Sequence, residues 1–353
     1  MSNKTNAFTF LLFLLASSCC YSQSKPAQAI DSLLKINVPR AFNGIVIISK
    51  NGTEIYKRSH GYSDLSKKTL LKFDDQFIIA SLSKQITAAL VLRQVEAGNI
   101  NLSRTIKTYL PDFAESWADS VTIKQLLSHT SGIYSFNKHL KSLPGSNFAY
   151  SNINYVILGK IIEKTAKKPY AVLTKDLFTQ CGMNHTSVPP INKSIFNLQL
   201  IDQLVKGYNE NENHKLEEET NILDLLNLPV MGIPAAGIIS TAGDLVKWNE
   251  HLHEGKLLKD STYQMMIKKS AIRPHRWGLM NYGYGIQIDS IDHIKEINNA
   301  GYVTGFIATN IYYPASKISI VILENVSPEP SNMNRVYFFH DQIRNICRTQ
   351  FRL

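Results

Sequence analysis

Cysteine is scarce in this sequence: Cys19 and Cys20 lie near the start, and Cys181 and Cys347 stand far apart. That count excludes a disulfide scaffold, and two distant thiols do not establish a bridge. No His, Cys and Asp residues stand at metal-ligand spacing. The formal net charge of +10 is spread along the chain without a dense Lys/Arg block or a groove-reading motif. It reads as a basic surface, with no nucleic-acid partner. Beyond residue 22 no apolar stretch approaches the about twenty residues that a membrane span needs. Internal repeats and low-complexity segments are missing too. With 44% hydrophobic and 19% charged residues, the composition is that of a globular protein. Its 353 residues suffice for one large core, or one core with a sizeable subdomain.

The N-terminus carries its own signal. Lys4 precedes the apolar run "AFTFLLFLLA", and small residues follow in "SSCCYSQ". This pattern predicts an export signal over 1–22, cleaved near Ser22–Gln23, and a periplasmic or secreted mature chain of 23–353. Lipid anchoring at Cys19 or Cys20 is the alternative, but Ala16 and Ser17 stand where a branched apolar residue is usual.

Further on, "AQAIDSLLKIN" has helical spacing, and "GIVIISKNGTEIYKRSHG" reads as a hairpin turning at Asn51-Gly52. From Ile86 to Val95 nearly every position is apolar, and Gly98 follows as a helix stop, so a buried helix is expected. "TIKQLLSHTSGI", "NINYVILGKIIEKTA" and "TAGDLVKWNEHL" have three-to-four spacing, with Thr241 and Asp244 placed as a cap. "NENENHKLEEET" reads as a charged loop. Strands return after about Tyr282 in "YGYGIQID", "GFIATNIYYP" and "KISIVILEN", before a last helix in "NMNRVYFFHDQIRNIC". The expected fold class is α/β. An antiparallel sheet built from both chain ends (about 26–100 and 280–353) would be flanked by helices, with a mostly helical insertion at about 101–279.

Three segments could carry chemistry. Ser81-Leu82-Ser83-Lys84 stands where the buried helix begins. A hydroxyl there faces free N–H groups and the positive end of the dipole, and an amine three residues on shares its face. Burial disfavours the charged amine and can leave it a base. Ser22–Lys25 and Ser135–Lys138 repeat the spacing without the helix. In "PGSNFAYSNINYV", Tyr150 offers a phenol for proton transfer, and Asn152 an amide to orient substrate or lysine. In "NNAGYVTGFIATN", Gly301 and Gly305 permit close backbone approach. Such a strand could give a second oxyanion N–H beside that of Ser81.

The order of these segments resembles the serine hydrolases related to class C β-lactamases and D-alanyl-D-alanine carboxypeptidases. "FIIASLSKQITA", "VEAGNINLSRTIKTYLPDF", "TIKQLLSHTSGI", "PGSNFAYSN", "PAAGIISTAGDLVKW", "YGYGI" and "GYVTGF" look like family landmarks in the family's order. The resemblance implies a β-lactamase/transpeptidase-like fold, a nucleophile at Ser81, an activating Lys84, a proton-shuttling Tyr150 and a substrate-orienting Asn152. It leaves open whether Lys84 or Tyr150 is the general base, since the two would titrate together. It implies no metal or organic cofactor and a small-molecule or peptide substrate. His129 reads as a structural residue at a helix end.

One position departs from the family. A cation usually begins the triplet on the strand facing the nucleophile, and here that slot holds Asn299, ahead of Ala300-Gly301. Asn299 is expected to donate a hydrogen bond to substrate without a charge, with Gly301 and the Tyr302 amide forming the oxyanion site. Hydrolysis of an ester, peptide or other amide through an acyl-enzyme is therefore expected ahead of β-lactamase or D-Ala-D-Ala carboxypeptidase activity. A weakly active binding module is the remaining alternative.

Overall fold

A computed structural model describes residues 24–189, 203–226 and 232–351. The export segment expected at 1–22 lies outside them. Among the described residues, eight antiparallel strands form the main sheet. In chain order they are β1 (Gly44–Lys50), β2 (Thr53–His60), β3 (Ala271–His275), β4 (Gly278–Tyr282), β5 (Gln287–Ile291), β6 (Ile294–Val303), β7 (Phe306–Tyr313) and β8 (Ile318–Glu324). Their spatial order is β2-β1-β8-β7-β6-β5-β4-β3, so the N-terminal hairpin adds to the C-terminal strands through β1 and β8, with Gly44 opposite Glu324. Asn51 and Gly52 turn that hairpin with positive φ angles of 49° and 75°, as a tight two-residue loop requires.

Both faces of the sheet are covered, which explains the unbroken apolar runs of β1 and β8. Val46 and Ile48 point, with Ile320 and Ile322, toward helices α1 (Lys25–Leu33) and α6 (Phe338–Gln350). Ile45 and Ile47 point the other way, into the larger core. That core also takes α2 (Ser83–Glu96), α3 (Asn152–Ala166), α4 (Tyr170–Gln180) and α5 (Ala242–His253). Each of those isoleucines is fully buried, a transfer of about 1.5–3 kcal/mol per side chain. Thr241 caps α5 by accepting from the Asp244 N–H at 3.1 Å.

Two expectations need correction. The sheet resumes at Ala271 rather than near 280, because β3 and β4 form an edge hairpin inside the stretch read as helical. Residues 209–220 are not only a loop: Tyr208–Glu210 and Leu216–Glu218 pair, and the former also joins Val326–Ser327. Cys181 and Cys347 are both buried and unpaired. No helix among the described residues is long and apolar enough to cross a membrane.

Candidate active site

Ser81 lies in a tight helical turn, Ala80–Leu82, that leads directly into α2. Ala80 adopts φ +48°, a left-handed conformation costly for a residue with a Cβ. Such strain persists only where its surroundings enforce it. Here a short two-strand ladder brings Phe77-Ile78 against Ile239-Ser240 of the helical part, and β6 packs on the turn. Ser81 is not a helix cap: the first turn of α2 has no side-chain cap hydrogen bond.

Lys84 is completely buried one turn along α2. Its Nζ is 3.0 Å from Ser81 Oγ, 2.7 Å from Asn152 Oδ1 and 2.8 Å from the Ala235 carbonyl oxygen. Burial pulls its pKa below the ordinary lysine value; Tyr150 pushes the other way without cancelling the effect. In the neutral amine, two N–H bonds reach the two carbonyl oxygens and the lone pair is left for the Ser81 hydroxyl.

Tyr150 completes the group, its hydroxyl 2.8 Å from Ser81 Oγ and its ring 4.8 Å from Lys84 Nζ. The residue is 40% exposed and forms a wall of the cleft rather than part of the core. Desolvation raises the phenol, but the nearby cations Lys84 and Arg273 outweigh it, so its pKa lies below the ordinary tyrosine value. His129 holds the Tyr150 segment from both sides. Its carbonyl accepts from the Ala149 N–H at 2.7 Å, and its Nδ1 accepts from the Ser151 N–H at 3.1 Å. Its ring packs against that of Tyr150, tilted by 31° with centroids 4.3 Å apart. Burial and the neighbouring cations keep this imidazole neutral.

The strand opposite explains Gly301. A Cβ at this position would lie 2.6 Å from the Ile79 carbonyl oxygen and 2.9 Å from the Ser81 nitrogen. Only glycine lets β6 come this close to the Ser81 turn. β5 pairs with β6 only as far as Asn298, and beyond it Ala300 and Tyr302 border the site.

Ser81, Tyr150 and Asn152 line a cleft of about 570 Å³ whose other walls come from Arg273–Arg276, Ala300, Tyr302, Met333 and Tyr337. Asn299 corrects an expectation. It is 4% exposed and does not reach the cleft. Its amide donates to the Gly285 carbonyl at 2.9 Å and, more weakly, to that of Ser81 at 3.4 Å, while its oxygen accepts from the Ala300 N–H. Strand alternation turns Asn299 inward, where it braces the Ser81 turn, and leaves Ala300 at the cleft. The sequence reading also missed Arg273, His275 and Arg276. They ride on the edge hairpin, whose Pro274 and scattered charges mask a strand pattern.

A hydroxyl at a helix head, a buried amine and a phenol in one hydrogen-bonded row, beside a close strand, suit acyl transfer by a serine hydrolase. The Beta-lactamase family model matches residues 34–342, and the chain belongs to this family of serine hydrolases. Penicillin-binding protein 4* of Bacillus subtilis is 28% identical over 319 residues, covering 80% of this chain and 68% of that protein. Protein flp of Staphylococcus aureus is 24% identical over 334 residues, covering 86% and 64%. The chain thus spans about two thirds of the length of these curated relatives. In fold it is similar to D-amino acid amidase from Ochrobactrum anthropi SV3, with a TM-score of 0.77 and 21% identity over 92% of this chain and 99% of that one.

Proposed function

We propose that the chain hydrolyses an ester or amide through a covalent acyl-enzyme on Ser81. The observation that carries this reading is the continuous row Tyr150–Ser81–Lys84, with contacts of 2.8 and 3.0 Å, opening onto a cleft. Ser81 Oγ attacks the carbonyl carbon, and its proton passes to the Lys84–Tyr150 pair, which titrates as a unit. The amides of Ser81 and Tyr302 receive the developing oxyanion. As the tetrahedral intermediate collapses, the leaving group departs with a proton returned through Tyr150. Water then attacks the acyl-serine, activated by the same pair, and Ser81 is regenerated. Asn152 holds the Lys84 amine toward Ser81 and presents its amide at the cleft.

The same reading has the working enzyme exported after loss of 1–22, which N-terminal sequencing of the mature protein checks. Names among the relatives and structural neighbours put β-lactams and D-amino acid amides beside simple esters in the panel to try. Stopped-flow hydrolysis of para-nitrophenyl acetate tests the mechanism. A burst of nitrophenolate matching the enzyme concentration, with the acetyl group mapped to Ser81, is expected. Turnover undiminished in Ser81→Ala rejects it.

A further inference from the structure

We propose that Arg335 is a positioning residue for substrate selectivity. Its fork onto Glu210 holds the short helix Met333–Val336 as an apolar wall of the cleft, and the preferred substrate carries an apolar group that packs on that wall. This rests on the assignment of Ser81 as nucleophile and adds the substrate class.

Met333 and Tyr337 line the catalytic cleft, with Ala300 and Tyr302 beside them. Arg335 lies between them in sequence but lines a second cavity of about 580 Å³, together with Arg40, Glu210 and His214. The helix thus meets one cavity with Met333 and the other with Arg335. It is one turn long, too short to persist by itself, and Val336 is its single buried residue. Side chains from elsewhere set its place. Arg335 Nη1 and Nη2 donate to the two carboxylate oxygens of Glu210, in a two-pronged pair whose side chains are only 20% and 9% exposed. Arg335 Nε donates to the Pro39 carbonyl at 3.2 Å. Arg40 donates to the carbonyls of Arg335 and Val336, at 3.0 and 2.7 Å. On the cleft side, the Tyr302 hydroxyl donates to the Pro328 carbonyl at 3.0 Å.

Glu210 belongs to the charged segment 209–220, which gains a use here. Tyr208–Glu210 pairs with Leu216–Glu218 and with Val326–Ser327, the last residues before the chain turns toward the helix. A carboxylate carried by that small ladder is a fixed point for Arg335, and the cleft wall is positioned from it. The wall itself is apolar in character. Met333 is 39% exposed at the cleft, and its thioether chain adapts to an apolar group of varied shape. The Tyr302 hydroxyl is engaged by Pro328, and the Tyr337 ring lies under the Arg276 guanidinium at 4.1 Å. An alkyl or aryl group near the scissile carbonyl covers Met333 and gains by the apolar area removed from water.

The test follows hydrolysis of ethyl acetate, ethyl hexanoate and hexyl acetate by pH-stat, comparing a short ester with esters extended on either side of the carboxyl group. Wild type is expected to favour at least one extended ester in kcat/KM by about tenfold or more, chiefly through KM. Arg335→Met and Glu210→Gln lose about tenfold more on that ester than on ethyl acetate. Arg335→Lys, which keeps the charge without the fork, retains part of the preference. Met333→Ala removes the same preference, and adding Arg335→Met to it costs little more, because Arg335 acts through that wall. Absence of a preference in wild type, equal losses on all three esters, or a multiplicative loss in the double variant overturns the proposal. Should Arg335→Met fail to fold, Glu210→Gln carries the comparison. Calorimetric binding of the two extended esters to the Ser81→Ala protein separates this proposal from the nucleophile assignment. Affinity for either that falls about tenfold on adding Glu210→Gln supports the wall even if no ester is turned over. Affinities for both that are insensitive to that change overturn it.

Discussion

Lys84 Nζ donates to the carbonyl oxygen of Ala235 at 2.8 Å, across 151 residues of chain. With Asn152 Oδ1 as the second acceptor, this bond fixes how the amine is turned: its remaining direction is Ser81. The buried amine is therefore aimed as well as desolvated. The hydrogen-bond row has two polarities. Either Tyr150 donates to Ser81 and Ser81 to a neutral Lys84, or charged Lys84 donates to Ser81 and Ser81 to a phenolate. Both keep Ser81 between a donor and an acceptor.

Removing either end of that row should be severe. Lys84→Met and Tyr150→Phe are each expected to lower kcat/KM about 100- to 10,000-fold, the range for loss of a positioned acid–base group. The double variant should lose little more than the worse single one, because the two groups act as a unit. Multiplicative losses, measured by ester hydrolysis, would mean that they act independently.

His129 should matter through geometry rather than proton transfer. Its Nδ1 and carbonyl bracket Tyr150, so His129→Phe keeps the ring contact but strands the Ser151 N–H. The expected result is a fall in kcat, unfolding of the protein at a lower temperature, and an unmoved acid limb of the pH profile. A limb displaced by His129→Phe would mark the imidazole as a titrating participant.

Gly301→Ala should separate fold from activity. The added Cβ meets backbone atoms of Ile79 and Ser81, so β6 must retreat from the nucleophile turn. Loss of one well-placed oxyanion donor costs about 100- to 1,000-fold in kcat. A circular dichroism spectrum like that of wild type should accompany that loss; activity within a few-fold of wild type would argue against this strand as the oxyanion support.

The pH profile has a predictable sign. Lys84 and Tyr150 both lie below their ordinary values, and kcat/KM falls on the acid side as the pair takes up a proton. Arg273 lowers both groups, so Arg273→Gln should move that limb to higher pH. His275 does not contribute near neutrality. Desolvation, with Arg276 and Arg273 beside it, lowers its pKa to about 3.

Stability should show a separate acid dependence at Glu324, which is fully buried between Arg40 and His340. Burial pushes its carboxyl up, but Arg40 and His340 outweigh this and hold it below the usual glutamate value. A depressed carboxylate contributes stability above its unfolded pKa, and loses it as pH falls through the folded one. Arg40→Met is expected to cost about 3–5 kcal/mol at neutral pH. In urea titrations, the gap to wild type should narrow below about pH 4. A gap that is independent of pH would exclude the ion pair as its source.

Much of this was legible in the sequence. Ser81 and Lys84 stood out because a polar pair interrupts an apolar helix, and the N-terminal hairpin because Asn51-Gly52 has one dominant local use. The apolar runs of β1 and β8 marked both as strands, while their burial on both faces emerges from the packing. What stayed hidden has physical causes. Ala235 contributes a backbone carbonyl, which no side-chain identity reports. Arg273 sits on an edge strand broken by Pro274, where pattern is weakest. Asn299 was read as facing the cleft because its place in the triplet was clear, while its side-chain direction depends on strand register, which spacing alone does not give.

The central claim is that Ser81 is the nucleophile, activated by Lys84 and Tyr150. Intact-mass spectrometry after exposure to a fluorophosphonate tests it most directly. The account predicts a single adduct per wild-type chain, mapped to Ser81, much slower labelling in Lys84→Met and none in Ser81→Ala. Undiminished labelling in Ser81→Ala, or an adduct on another residue of the wild type, would contradict it.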